Sequence, residues 1–375
     1  MIQGIDIYGG FGGWETSIDQ RNLADTNNTT IVSGDINNDQ TSDIDIIVTA
    51  ANNAKLDGFT ITKGRNWYSI SGAVYCNNVS TVIANCIIKD NDGYGLQCST
   101  SDSNSYVSLV NCFVEDNGQS GIYCTNASPY TGTLYLNISR CTISANNSEG
   151  LYDAVDTVDI NMTDSIVSGN HNGYGGIYSS AKKLTIKNCN ITDNAGYGYG
   201  IYAVGNAQLS IKNCVINENS SNGIYAVSSS QADIANNVIF ENTGAGVCIN
   251  VGTNANIINN LVYRNHNYGI NLYYTSNSPE ISRNTVVYNT SYGIFKYGGA
   301  DPTVNSNIIW GNTSDSLAGS FSNVNYNCIE NYTGGGTGNT NQNPHFRDSA
   351  NNDYHLTKIS TDCIDKGNPD FNSTG

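Results

Sequence analysis

Four oxygen-bearing side chains in "GDINNDQTSDID", Asp35, Asn37, Asp39 and Asp43, occupy positions one, three, five and nine of a single loop. That spacing is the one by which a chain wraps Ca2+ with oxygen ligands. Position six is Gln40 where such loops use glycine, and position twelve is Ile46 where they use glutamate. Calcium here is an expectation to be set against a solvated acidic loop. Asp153, Asp156 and Asp159 in "LYDAVDTVDI" form a denser cluster that reads as solvated, or as a cation contact.

A different chemistry, β-elimination of a uronate-containing polysaccharide, needs a Lys, Arg, His or Tyr base and a group that neutralises the carboxylate. Arg264 and His266, with Tyr263 beside them and Tyr288 one repeat later, meet that need best. Hydrolysis would need paired carboxylates a few ångströms apart, and the N-T-D, G-H-G and R-I-K motifs of polygalacturonases are absent. Asp90, Asp116, Asp193, Glu218 and Glu241 recur at one place in successive repeats, as a solvated edge would. No nucleotide-binding or Gly-x-Ser-x-Gly motif is present, so nucleotide and acyl-transfer chemistry lack support.

The third candidate is aromatic. The chain holds 25 Tyr against 3 Trp and 8 Phe, and "AGYGYGIYAVG" alone carries three of them. Tyr75, Tyr123, Tyr152, Tyr178, Tyr202 and Tyr225 each follow the aliphatic residue of a short strand, with Gln97, Cys248, Asn271 and Phe295 at the same place in other copies. Alternation along a strand turns this position outward when the aliphatic faces inward. A row of rings is a self-supporting stack or a contact strip for a carbohydrate or protein. By the same pattern Tyr197 and Tyr199 fall in a turn and only Tyr202 in the row.

These residues are positioned by a repeat. "VIANCIIKDN" ending at Asn91 recurs as "SLVNCFVEDN", "NISRCTISAN", "NMTDSIVSGN" and "TIKNCNITDN", ending at Asn117, Asn146, Asn170 and Asn194. Further copies end at Asn219, Asn242, Asn265, Asn289 and Asn312, and a weaker one at Gly64. In every full copy the second position is apolar and the seventh is Ile or Val, which marks interior columns. Short β-branched strands, Gly and Asn corners and this period predict one coil per repeat. The expected fold is all-β, a single-stranded right-handed parallel β-helix of about eleven or twelve coils, the hand following crossover chirality. Residues 1–50 would form N-terminal coils with the acidic loop, 51–332 the repeats and 333–375 a closing segment, all one continuous domain. With coils about 4.8 Å apart, the terminal asparagines would bend left-handed and form a hydrogen-bonded ladder. Cys86, Cys112, Cys141, Cys189 and Cys214 form a fifth-position column, continued by Asn237, Asn260, Asn284 and Asn307, and Cys76, Cys98 and Cys124 form another. Buried free thiols are the preferred reading of both, and eleven cysteines leave at least one without an intrachain partner. Sequons at Asn137, Asn161, Asn190, Asn289 and Asn331 are candidate glycosylation sites.

A formal net charge of -16 and 13% charged residues argue against nucleic acid or an anionic membrane surface and favour neutral or cationic partners. No apolar run spans a membrane, and "MIQGIDIYGG" lacks the basic start and apolar core of a signal peptide.

Two segments carry a family resemblance. Tyr8 to Phe11, Glu15-Thr16, Arg21 and Ile31 to Ile36 resemble the YGGF-G-x-E-T, Arg and I-L-S-G-D-I pattern of bacterial secreted or surface β-helix proteins, the choice-of-anchor Q domain group. Pro344, Phe346, Tyr354 to Leu356, Cys363-Ile364-Asp365 and Gly367-Asn368 are similar to that group's closing motif, with departures at Asn343 and Thr361. The resemblance implies a right-handed β-helix at the cell surface or outside the cell. The expected function is a surface or structural solenoid without catalysis, contacting a polysaccharide or copies of itself through the N-terminal coil. A uronate-specific polysaccharide lyase is the alternative.

Overall fold

The computed structural model describes residues 1–66, 72–101, 103–125, 131–205, 208–229 and 231–369. The fold is all-β, a right-handed parallel β-helix of about 11 turns. Two compact units, Met1–Gln208 and Leu209–Gly375, divide it, so the division falls inside the expected 51–332 repeat segment. Each coil of a solenoid touches only its neighbours, and sequence repeats hold no mark of such a division.

Each decamer forms two strands around a corner. In the copy ending at Asn91, Thr81–Ala84 and Ile87–Lys89 are strands, and Asn85 and Asp90 between and after them have φ of 51° and 52°. Asn and Asp tolerate that left-handed turn at lower cost than most residues. The turn therefore belongs to the residue before the terminal asparagine, not to the asparagine itself as the sequence suggested. Asn91 is buried, donates its Nδ2 to Asn117 Oδ1 at 2.9 Å and accepts the Gly64 amide at 2.8 Å on Oδ1. The asparagine is spent on satisfying buried backbone groups, and its neighbour makes the bend.

In the first unit the coil is closed by a third strand, Tyr94–Ser99 in this repeat. Ile83, Ile88 and Leu96, one from each face, are fully buried. They are in register with Leu109, Val114 and Ile122 of the next coil. Each such side chain stabilises the fold by about 1.5–3 kcal/mol. The glycine before the third strand is required by close approach: a Cβ on Gly121 would lie 2.7 Å from Asn146 Nδ2 and 2.9 Å from Gly150 O. The second unit repeats this plan, with Ile257, Val262 and Ile270 in one coil and Ile281, Val286 and Ile294 in the next. No helix among the described residues is long and apolar enough to cross a membrane.

Both end motifs have packing roles. The Arg21 side chain is 8% exposed, donates to Gly9 O at 2.9 Å and reaches Asp57 Oδ1 at 3.2 Å through both terminal nitrogens. Its guanidinium lies 5.1 Å from the Tyr8 ring centre and 5.6 Å from that of Phe11. Glu15 accepts the amides of Gly12, Gly13 and Trp14. In the closing segment, Tyr354 is buried against Tyr263, Tyr288 and Phe346 at ring distances of 5.2, 5.8 and 5.4 Å. Of the sequons, Asn289 is excluded from glycosylation by its place in the ladder, where its Nδ2 donates to Asn312 Oδ1 at 2.9 Å.

Candidate functional site

The tyrosine row of the first unit stands on the third strand of each coil. Tyr123, Tyr152, Tyr178 and Tyr202 are in register on neighbouring strands and half-buried. Tyr123 and Tyr152 stack with centroids 5.6 Å apart, and Tyr152 and Tyr178 with centroids 4.9 Å apart. Gln97 separates Tyr75 from this run in the register. Tyr225 lies in the second unit, where its register partner is Cys248 and its phenol oxygen accepts Asn250 Nδ2 at 2.6 Å.

Tyrosines outside the row's own strand position join it. Tyr94, the first residue of the strand Tyr94–Ser99, stacks on Tyr123 at 4.2 Å. Tyr174 stacks on Tyr178 at 4.5 Å, and Tyr197 covers Tyr174 at 5.8 Å. Tyr199 opens the strand Tyr199–Val204 and packs against Tyr202 at 4.9 Å, so it does not lie in the turn. A corner residue one turn ahead of a strand projects over the same face, a placement that strand alternation cannot reveal.

Within the run the rings cover one another's faces. Between Tyr178 and Tyr202 the stack breaks, with ring planes at 90°. Tyr174 meets Tyr202 at 71°, and Tyr197 beside it is 72% exposed. This end of the row is where a ring face is accessible, the geometry that stacking on a sugar requires. Burial holds the Tyr94 hydroxyl up at about 12, with Tyr123 and Glu149 adding to the effect. Burial, then Glu149, raises Tyr152, and burial, then Tyr152, raises Tyr178. The phenols of Tyr94, Tyr152 and Tyr178 are therefore protonated donors at neutral pH.

Two carboxylates lie behind the row. Glu149 is buried and accepts Ser120 Oγ at 3.0 Å, Ser148 Oγ at 2.7 Å and the Tyr174 amide at 2.9 Å. Asp153 is 0% exposed, a correction to the solvated cluster expected of Asp153, Asp156 and Asp159. It occupies the interior column of Cys76, Cys98 and Cys124 and accepts Ser179 Oγ at 3.0 Å. Burial pushes its carboxyl up to about 7. Strand alternation explains this: Leu151 and Asp153 face in and Tyr152 faces out.

The proposed elimination constellation is rearranged. Arg264 and Tyr288 are the left-handed corner residues of adjacent coils, at φ 52° and 53°, so their side chains share one edge. That edge is covered by the closing segment. Arg264 Nη2 donates to Ala350 O at 3.2 Å, Tyr288 stacks on Tyr354, and Tyr263 is buried between Phe240 and Tyr354. Only His266 is exposed. The trio therefore anchors the C-terminal segment instead of lining an open groove.

In the acidic loop, Asp35 accepts the amides of Asp39 and Gln40, Asn37 that of Asp39, Asp39 that of Thr41, and Asp43 that of Ile36. The carboxylates serve as turn caps. No cluster of three or more His, Cys, Asp or Glu residues suited to a metal occurs among the described residues.

Fold and corner chemistry together define a right-handed parallel β-helix. The family model described as a right-handed β-helix region matches residues 130–286. No curated protein matches the chain. Among solved structures, pectate lyase Pel9A is 14% identical over 80% of this chain and 75% of its own, with a TM-score of 0.41. A double mutant of the periplasmic alginate epimerase AlgG is 14% identical over 76% of this chain and 66% of its own, just under two thirds, at 0.40. The A-module of Azotobacter vinelandii mannuronan C-5 epimerase AlgE4 is 14% identical over 82% of this chain and 88% of its own, at 0.38. Likenesses at this level say nothing of what this chain binds.

Proposed function

We propose that the protein is a non-catalytic extracellular or cell-surface β-solenoid that contacts a neutral polysaccharide along the tyrosine row of its first unit. The observation that carries this reading is the continuity of Tyr94, Tyr123, Tyr152, Tyr178 and Tyr174, ending at the exposed ring of Tyr197. Coils repeat about every 4.8 Å, so the row sets one phenol ring on each coil, which suits a linear repeating ligand. Glu149 behind the rings and the net charge of -16 disfavour a polyanion. The surface assignment rests on the YGGF and closing segments that resemble the choice-of-anchor Q group.

The test is affinity electrophoresis and calorimetry against neutral glucans and mannans, with alginate and pectate beside them. Binding of a neutral chain that Tyr197→Ala and Tyr152→Ala weaken together supports the reading. Unsaturated product absorbance from alginate or pectate would replace it with the lyase alternative. A second reading, self-association, is favoured by the exposed apolar side chains Ile2, Trp14, Ile31 and Ile36. A sedimentation coefficient independent of concentration would remove it.

A further inference from the structure

Cys328 and Cys363 differ from the column cysteines in that one of the two is half-buried. Cys328 belongs to the strand Cys328–Ile329, is buried, and donates its thiol to Gln342 O at 3.2 Å. The chain then runs through the closing segment and returns, with the Cys363 amide donating to Ser360 O at 3.0 Å. Asn368 N donates to Ser306 Oγ at 3.0 Å, holding the returning chain against the preceding repeat. The two cysteines line one cleft of about 100 Å³ with Asn327, Thr340, Asp362 and Lys366, and each thiol is the main influence on the other's ionisation. Cys363 is half-buried, whereas the column thiols Cys86, Cys98, Cys112 and Cys124 are buried. A reagent from solvent therefore reaches this pair more readily than those columns.

We propose that Cys328 and Cys363 close a disulfide that locks the closing segment onto the last coil. The neighbouring thiol holds Cys363 below the ordinary thiol range and Cys328 above it, so the accessible sulfur is the better thiolate. In exchange with a small-molecule disulfide, the Cys363 thiolate attacks one donor sulfur and expels a donor thiolate. Cys328 then releases its proton to solvent and attacks the Cys363 sulfur, expelling the second donor thiolate. The protein loses two hydrogens, and the donor is reduced to two thiols. The closed loop contains Phe346 and Tyr354, the residues that cover Tyr263 and Tyr288, so the bond fixes the aromatic packing in place.

The test is equilibration of the intact protein with oxidised glutathione, alkylation of remaining thiols in denaturant, and peptide mass mapping. A linked Cys328–Cys363 peptide is expected, with the column cysteines alkylated. Proteolysis of the closing segment should then be about tenfold slower in the oxidised protein than in Cys363→Ser. Cys363→Ser changes a half-buried position and keeps the measurement usable where Cys328→Ser does not fold. Recovery of both cysteines singly alkylated, a persistent glutathione adduct on Cys363, or linkage only among the column thiols would overturn the proposal.

Discussion

The fifth position of the repeat holds a thiol through most of the first unit and an amide through most of the second, and the two solve one problem with different strength. Cys141 accepts the Cys112 amide at 3.4 Å and donates to Ser139 O at 3.3 Å. Asn260 donates to Ile234 O and Asn284 Oδ1 at 2.9 and 3.0 Å, and accepts the backbone and side-chain nitrogens of Asn237 at 3.0 and 2.9 Å. The aromatic surfaces diverge in parallel. The first unit leaves its tyrosines half-exposed, while the second unit's Phe240, Tyr263, Tyr288 and Trp310 lie under Tyr354 and Phe346. The difference teaches that rings on two different faces of the coil become a surface or a core according to whether another segment covers them.

Removing that cover should have the largest effect. Tyr354→Ala is expected to destabilise the second unit by about 3–5 kcal/mol, measured by urea denaturation, and to expose Arg264 and Tyr288. An unchanged midpoint would mean that the closing segment does not anchor there. The column comparison comes next. Asn260→Ala strips several buried bonds and should cost about 3 kcal/mol, against about 1 kcal/mol for Cys141→Ala. Equal costs would dissolve the distinction between the units.

Asp153 gives a smaller effect with a definite sign. Its folded carboxyl titrates near 7, above the ordinary 3.8, so the native state holds a proton that the unfolded chain has released. The contribution to stability is fully present below about pH 4 and falls, by about 1.4 kcal/mol per pH unit, as pH rises toward 7. Asp153→Asn should therefore flatten the dependence of stability on pH between 4 and 7, read from denaturation midpoints. Smallest is the stack itself: Tyr152→Leu should cost about 0.5–1.5 kcal/mol for each ring that stacks on Tyr152, read from the same midpoints.

Much of this fold was legible in the decamer. Its inward positions, such as Ile83, Ile88 and Cys86, are buried as their periodicity required, because strand alternation is a local property. Which of two adjacent corner residues turns left-handed was not, since Asn and Asp both tolerate the turn and only the neighbouring coil decides which side chain is drawn inward. The site was half legible. Register placed Tyr123, Tyr152, Tyr178 and Tyr202 in line, but the contributions of Tyr174 and Tyr197 depend on how corners fold over the strand. The covering of Arg264 by Ser349 and Ala350 joins residues 85 and 86 positions apart, and no spacing rule reaches that far.

The exposed end of the tyrosine row, assigned above to a neutral polysaccharide, is open to direct measurement. The affinity of the intact protein and of Tyr197→Ala is compared over a panel of neutral glycans, with folding verified by circular dichroism. Binding of at least one neutral chain is predicted, with a loss of about tenfold in the variant, which matches roughly 1.4 kcal/mol. Equal affinity of both proteins for every glycan bound, or binding to none, would contradict the assignment.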